Sequence, residues 1–248
     1  MTEKQNQFPS EIVTLPSKGI LYPADSLLSK GTIEMKYMTA REEDILTNQN
    51  LINNGTVIDE LLKSLIVSDI DYNQLLTGDK NAILIAARVL GYGKDYSFEY
   101  NGETINFDLT SIEDKELDES LVIDGKNEFN FKLPASEVDV TFKFLTHGDE
   151  SKIQQELKGL KKIRKNEPET LVRWRQTIIS INGNSDPKEI REFINNRLLA
   201  RDARALRNYI KEIQPDVDLT FDHEDQGGNI VKINVPVGLK FFWPDVEL

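Results

Sequence analysis

A change of hydrophobic period in the first half of the chain sets the tightest limit on its fold. Residues 80–93, KNAILIAARVLGYG, have the apolar pattern of a core helix, with Gly91 and Gly93 as residues that can end it in the left-handed region. DYSFEY and ETINFDL then alternate with period two around Asn101-Gly102, the pair that favours a two-residue hairpin turn. A core helix followed at once by a β-hairpin predicts an α+β protein.

Capping residues predict where several helices begin. Thr39 and Glu42 have the spacing of a capping box. Asp79, Asp186 and Asp202 each precede a run with helical spacing, so we expect them to be the N-caps of three further helices.

Alternating runs predict strands at residues 11–15, 32–37, 128–133 and 138–145, and a helix is expected from about residue 57. The acidic stretch SIEDKELDES has no period and is predicted to be a surface loop. The fold class expected is α+β, mainly helical, with two small β-hairpin units and an extended N-terminal arm. No solenoid-type repeat is apparent.

These patterns divide the chain into five segments with soft boundaries. They are residues 1–37, an extended arm; 38–112, a helical layer with the first hairpin; 113–147, an acidic loop with strands; 148–213, a basic helical segment; and 214–248, a C-terminal hairpin expected to pack back onto the first half.

Composition excludes several classes of function. The 248 residues include no cysteine, which removes disulfides, thiolate metal sites and cysteine nucleophiles. No apolar run is long enough to cross a membrane, and the N-terminus lacks the apolar core of a signal peptide, so we expect the chain to stay where it is made. The net charge of −12 argues against general affinity for nucleic acid and favours a protein partner.

The charge is nevertheless segregated along the chain. Residues 148–213 contain 15 Lys and Arg against 10 Asp and Glu, whereas the rest contains 15 against 32. Five cations form a candidate partner-binding set: Lys158, Lys161, Lys162, Arg164 and Lys165. The alternatives are a solvated helix face, a docking face for an acidic partner and, less favoured, a nucleic-acid-binding adaptor.

The chain ends in its densest aromatic cluster, Phe241, Phe242 and Trp243. Such rings bury large areas, on the order of 150 to 250 Å² each. They either fix the last strand in the core or form an anchor for a partner, and the sequence does not decide between these roles.

Candidate catalytic and metal sites are weak. Asp222, His223, Glu224 and Asp225 are consecutive, and neighbouring residues of a strand point to opposite sides, so they do not predict a metal site. His147 has no carboxylate or nucleophile at catalytic spacing along the sequence. We expect no enzymatic activity, no cofactor and no metal.

Taken together, five stretches resemble the baseplate hub and hub-assembly proteins of T-even-like contractile-tailed bacteriophages. They are residues 15–23, 38–66, 75–100, 198–219 and 236–244, which include LPSKGILYP and PVGLKFFWP. They span the chain nearly end to end and occur in the order of the family, so their combination is more specific than any single motif.

The resemblance implies a non-enzymatic tail protein that docks with hub, tape-measure and spike proteins, as a hub component or assembly factor. A transient chaperone of the tape-measure or hub proteins, absent from the mature virion, is the alternative within this class. The expected location is the host cytoplasm during assembly and then the tail baseplate, with no membrane or nucleic-acid partner.

Many members of that family carry CxxC pairs at two hairpin tips, like halves of a zinc ribbon. Here the corresponding tips read YNGETI and HEDQGGN, without cysteine. The resemblance therefore implies that both hairpins are degenerate zinc-ribbon-like units held by turn chemistry and cross-strand pairs.

Overall fold

The computed structural model describes residues 9–123, 125–162, 167–225 and 227–242. Helices make up 45% of the described residues and strands 24%, so the fold is α+β. The predicted fold class is wrong in its details. Both predicted hairpins are present, but they account for only two of the five small antiparallel sheets within these ranges. Zinc-ribbon-like units are unsupported, because the sequence has no cysteine and the described residues hold no cluster of metal-ligating side chains.

The first of two similar units extends from residue 10 to residue 92. Its strands β1 and β2 pair across a long loop in which Leu15 and Leu28 are buried, so this segment belongs to the core and is not an extended arm. The elements of the unit are β1 Ser10–Thr14, a 3-10 helix Leu27–Lys30, β2 Thr32–Lys36, α1 Ala40–Leu46, α2 Gln49–Asn54, α3 Val57–Leu65, a 3-10 turn Tyr72–Gln74 and α4 Thr77–Tyr92.

A hairpin and a short strand follow the first unit. The hairpin turn is Asn101-Gly102, with φ of 50° and 82°, as the sequence predicted. The acidic stretch predicted to be a loop instead contains a strand, β5. The elements are β3 Asp95–Tyr100, β4 Glu103–Asp108, a 3-10 helix Leu109–Ser111, β5 Glu113–Lys115 and a 3-10 helix Glu119–Leu121.

The second unit, from residue 129 to residue 213, repeats the order of the first. Two antiparallel strands are followed by helices, a third strand joins the sheet, and a long helix closes the unit. Its elements are β6 Phe129–Lys132, β7 Asp139–Phe142, α5 His147–Lys162, α6 Glu169–Thr177, β8 Ile178–Ile181, α7 Pro187–Asn196 and α8 Ala200–Ile213.

Pairing beside the second strand of each sheet shows that the two units have the same arrangement. In the second unit Ile178, directly after α6, pairs with Phe142 of β7. In the first unit Ile66, directly after α3, pairs with Met35 of β2. The sequence there is Ile-Ile-Ser in the second unit and Ile-Val-Ser in the first. Both sheets are therefore extended at the same position, by strand β8 in the second unit and by a single β-bridge in the first.

A buried ion pair also recurs. The ammonium of Lys36 lies 2.8 Å from Glu42, and that of Lys143 lies 2.7 Å from Asp149, in both cases six residues apart. Each acid is the third residue of its helix, α1 or α5. Thr39 completes the capping box that the sequence predicted for α1. The same contact therefore joins β2 to α1 and β7 to α5.

Asp79 is the third residue of α4 and not its N-cap, which is Leu76. Its buried carboxylate accepts hydrogen bonds from the backbone N–H of Ser17 at 2.9 Å, from the Ser17 hydroxyl at 2.6 Å and from the Tyr22 hydroxyl at 2.5 Å. Burial raises the pKa of Asp79, and these donors only partly oppose that effect. The bonds fix the loop between β1 and β2 onto α4.

Asp202 repeats this arrangement in the second unit. It is the third residue of α8, whose N-cap is Leu199, so the N-cap prediction is wrong here as well. Its buried carboxylate accepts from the N–H groups of Ala135 and Ser136, in the loop between β6 and β7, at 2.7 and 3.1 Å. At Asp186, in contrast, the predicted N-cap is confirmed.

The C-terminal segment returns to the first unit. Strand β9 pairs with β5, and Asn81 of α4 donates a hydrogen bond to Asp216 at 2.9 Å. The last hairpin packs against the first through Phe221 and Phe107, whose ring centroids are 4.6 Å apart. The elements are β9 Asp216–Asp218, β10 Thr220–Glu224, β11 Ile230–Asn234 and the short helix α9 Leu239–Phe242.

We expect Asp79→Ala to lower the free energy of unfolding by about 2 to 4 kcal/mol, because three donors would be left buried without an acceptor. Urea unfolding measures the change. Glu189→Ala is the control, since Glu189 is the third residue of α7 but is exposed; its loss should stay below about 1 kcal/mol. Equal losses at the two positions would contradict the assigned role of Asp79.

Glu42 should make stability depend on pH. Burial raises its pKa, but hydrogen bonds from Lys36, Thr39 and Ser64 outweigh burial and lower the pKa from 4.5 to about 2. Because the pKa is lower in the folded state, ionised Glu42 stabilises the fold above the unfolded-state pKa, and this contribution is lost as the pH falls towards 2.

Glu42→Gln should therefore lower the free energy of unfolding by roughly 2 to 3 kcal/mol at neutral pH. The difference from the wild type should shrink as the pH falls below about 4.5, the ordinary value. Urea unfolding of both proteins over a pH series tests this, and a difference that does not vary with pH would refute it.

Candidate docking surface

Three lysines of the predicted partner-binding set lie in the last turns of α5. Lys158, Lys161 and Lys162 are exposed, and no ion pair involves them within the described ranges. Arg164 and Lys165, the other two members, lie outside the described residues. The three lysines thus present free positive charge at one end of a helix.

The terminal aromatics Phe241 and Phe242 are fully buried. The ring of Phe241 packs edge-on against Tyr96, with centroids 4.9 Å apart, and its backbone carbonyl accepts a hydrogen bond from Arg88 of α4 at 2.9 Å. Both rings therefore pack in the core of this chain. Trp243 lies outside the described residues.

Two arginines of the basic segment are neutralised within the chain. Arg173 lies 2.6 Å from Glu150, and Arg175 is 2.8 Å from Glu156 and 2.5 Å from Glu167. The hydrogen bonds that the two guanidinium groups donate to these carboxylates raise the pKa of both. These arginines join α6 to α5, and their charges are not available to a partner.

A second basic surface lies on α8, where sequence reasoning did not place one. We call it the α8 basic face, and it consists of Arg201, Arg204, Asn208 and Lys211. All four side chains are exposed, and in the part of the chain that the structure describes none of the cations has a carboxylate within 4.0 Å. Their spacing of three, four and three residues is the signal that could have revealed one helix face.

An apolar cleft lies elsewhere along α8, where Arg207 and Ile210 line it. Phe144, Trp174 and Ile210 contribute to its walls, and its volume is about 220 Å³. The guanidinium of Arg207 lies 5.9 Å from the centre of the Trp174 ring, a distance at which a cation and an aromatic ring attract each other. The cleft is therefore apolar with positive charge at its edge.

The fold also assembles a polar cluster around His147 that sequence spacing did not reveal. His147 Nε2 lies 3.5 Å from the Ser151 hydroxyl, and Nδ1 lies 3.7 Å from Asp59 and 3.3 Å from the ammonium of Lys80. Burial lowers the pKa of His147, which favours the neutral ring. Because Lys80 can only donate, its contact favours the tautomer in which Nδ1 accepts and Nε2 carries the proton, and in that tautomer His147 cannot accept a proton from Ser151.

The acidic tip of the last hairpin has an ordinary turn structure. Asp225 accepts backbone hydrogen bonds from Gly227 and Asn229, at 2.8 and 2.9 Å, and His223 lies 3.6 Å from Glu103 of the other hairpin. In the part of the chain that the structure describes, no three or more potential metal ligands lie together. Among the described helices, none combines the length and apolar character needed to span a membrane.

The paired arginines and the free lysines should respond differently to truncation. Arg175→Ala should lower the free energy of unfolding by about 1 to 3 kcal/mol, because it removes a mostly buried cation that two carboxylates contact. Lys161→Ala, at an exposed position without an ion pair, should change it by less than about 0.5 kcal/mol. Thermal or urea unfolding measures both, and comparable losses would show that the lysine is also a structural residue.

Comparison with known proteins gives one assignment. No curated protein and no solved structure shows a significant match to the chain. The family model described as T4 bacteriophage base plate protein matches residues 13–240. Since this match covers both units and nearly the whole chain, the protein belongs to the T4 bacteriophage base plate protein family.

Proposed function

We propose that this protein is a component or assembly factor of the central hub of the baseplate and acts by docking with other tail proteins. Its family already makes it a structural or assembly protein of a phage baseplate. The narrower assignment to the hub is supported by the resemblance of five stretches, among them residues 15–23 and 236–244, to hub and hub-assembly proteins.

The observation that best supports a docking function is that an acidic chain has exposed positive charges without ion pairs. The net charge is −12, yet Lys158, Lys161 and Lys162 on α5 and the α8 basic face are exposed without ion pairs in the described residues. Oppositely charged patches orient partners during encounter and fix their register. Hub, tape-measure and spike proteins are the partners we propose.

A transient role is the second form of the same proposal. In it the chain binds the tape-measure or hub proteins in the host cytoplasm and leaves before the virion is complete. Quantitative mass spectrometry of purified virions and of isolated hub intermediates separates the two forms. A hub component is found in both at constant stoichiometry, whereas a chaperone is found only in the intermediates.

Deleting the gene should abolish complete baseplates, because an assembly step would lack its docking partner. Infected-cell extracts separated on sucrose gradients and examined by electron microscopy give the result, and expression of the chain in trans should restore baseplates. Normal baseplates in the deletion strain would refute an essential role in assembly.

A further inference from the structure

The helices that close the two units, α4 and α8, differ in what covers one face. They align at Asp79 and Asp202, the buried third residues. The aligned pairs on this face are Gly78 with Arg201, Asn81 with Arg204, Ile85 with Asn208 and Arg88 with Lys211.

On α4 the face is covered by the chain itself. Gly78 contacts the backbone carbonyl of Pro215 so closely that a Cβ would overlap its oxygen. Asn81 donates to Asp216, and Arg88 is buried near the chain's last helix. The covering segment includes strand β9, Asp216–Asp218, an extended Asp-Val-Asp sequence.

On α8 the corresponding face is open and cationic. Every residue of the α8 basic face is exposed, whereas its α4 counterparts are buried or half-buried. Arginine and lysine replace glycine, asparagine and arginine there, so the face has kept its position in the unit but changed its electrostatic character.

We propose that the α8 basic face binds an extended acidic segment of another tail protein, in the position that residues 215–218 occupy on α4. This inference rests on the proposed docking function and names the surface and the chemistry of its partner. Arg201, Arg204 and Lys211 would each face a carboxylate or a backbone carbonyl of that segment.

Charge complementarity, read from the segment that covers α4, defines the occupant. In β9 the central Val217 is buried between two aspartates, an acidic-apolar-acidic pattern. The α8 basic face offers the complementary charge, with three exposed cations along the helix. A protein segment is favoured over nucleic acid because the chain as a whole has a net charge of −12.

Site-directed cross-linking tests the occupant directly. Benzoylphenylalanine is incorporated at Arg204 of the full chain during infection, and at Arg191, exposed on α7, as the control. After irradiation we expect a cross-linked peptide from another tail protein that is rich in Asp and Glu, specific to position 204. The proposal fails if position 204 gives no product beyond that at 191, or products with nucleic acid, a non-acidic segment or a second copy of this chain.

Charge reversal tests the contribution of the face. Arg201→Glu with Arg204→Glu should reduce the amount of this chain that co-sediments with other baseplate proteins by about tenfold or more. Lys188→Glu with Arg191→Glu is the matched control, since these exposed cations occupy the second and fifth positions of α7, as Arg201 and Arg204 do in α8.

Both double variants place a glutamate in the first turn of a helix, where the helix dipole favours it. Thermal unfolding of the purified chains checks that both variants are folded. The control should co-sediment within about twofold of the wild type. Equal loss in both variants, or no loss at positions 201 and 204, would overturn the proposal. If gene deletion abolishes baseplates while this reversal does not, the docking function stands and only the α8 surface is rejected.

Discussion

Four buried carboxylates, each the third residue of a helix, connect the helices of this protein to its sheets. In the described residues they are Glu42, Asp79, Asp149 and Asp202. A buried charge is tolerated only with partners, and the first turn of a helix supplies a favourable dipole and unpaired N–H groups. Because the remaining donors come from preceding strands, loops or other helices, each carboxylate fixes its helix to another part of the unit.

The four carboxylates form two kinds of contact, and each kind occurs once per unit. Glu42 and Asp149 pair with a lysine at the end of the preceding strand or directly after it, whereas Asp79 and Asp202 accept from a loop that begins with Leu-Pro. An acid paired with lysine is held in the ionised form, while burial without a cation raises the pKa of Asp79. The units therefore combine ionic and hydrogen-bonded attachment of helices to their sheets.

Sequence signals that act within a few residues predicted local structure correctly. They could not predict contacts between residues that are far apart in the sequence. Asn101-Gly102 and Asp186 act within a few residues, and both assignments are confirmed. The capping prediction assumed that the Asp79 carboxylate accepts hydrogen bonds from its own helix. It accepts instead from Ser17, which is 62 residues away in the sequence. Strand β5 could not be predicted because the strand it pairs with, β9, is about a hundred residues further along the chain. Composition likewise predicted a basic segment, but only the fold distinguishes neutralised Arg175 from exposed Arg204.

Closure of α4 by the end of the chain has a consequence for synthesis. Asn81 and Arg88 donate hydrogen bonds to residues that lie 135 and 153 positions later in the chain. When the first unit emerges from the ribosome, the segment that covers it has therefore not yet been made. Contacts of such long sequence separation form late and slow folding. Until that segment is made, the nascent first unit lacks the contacts that cover this face of α4.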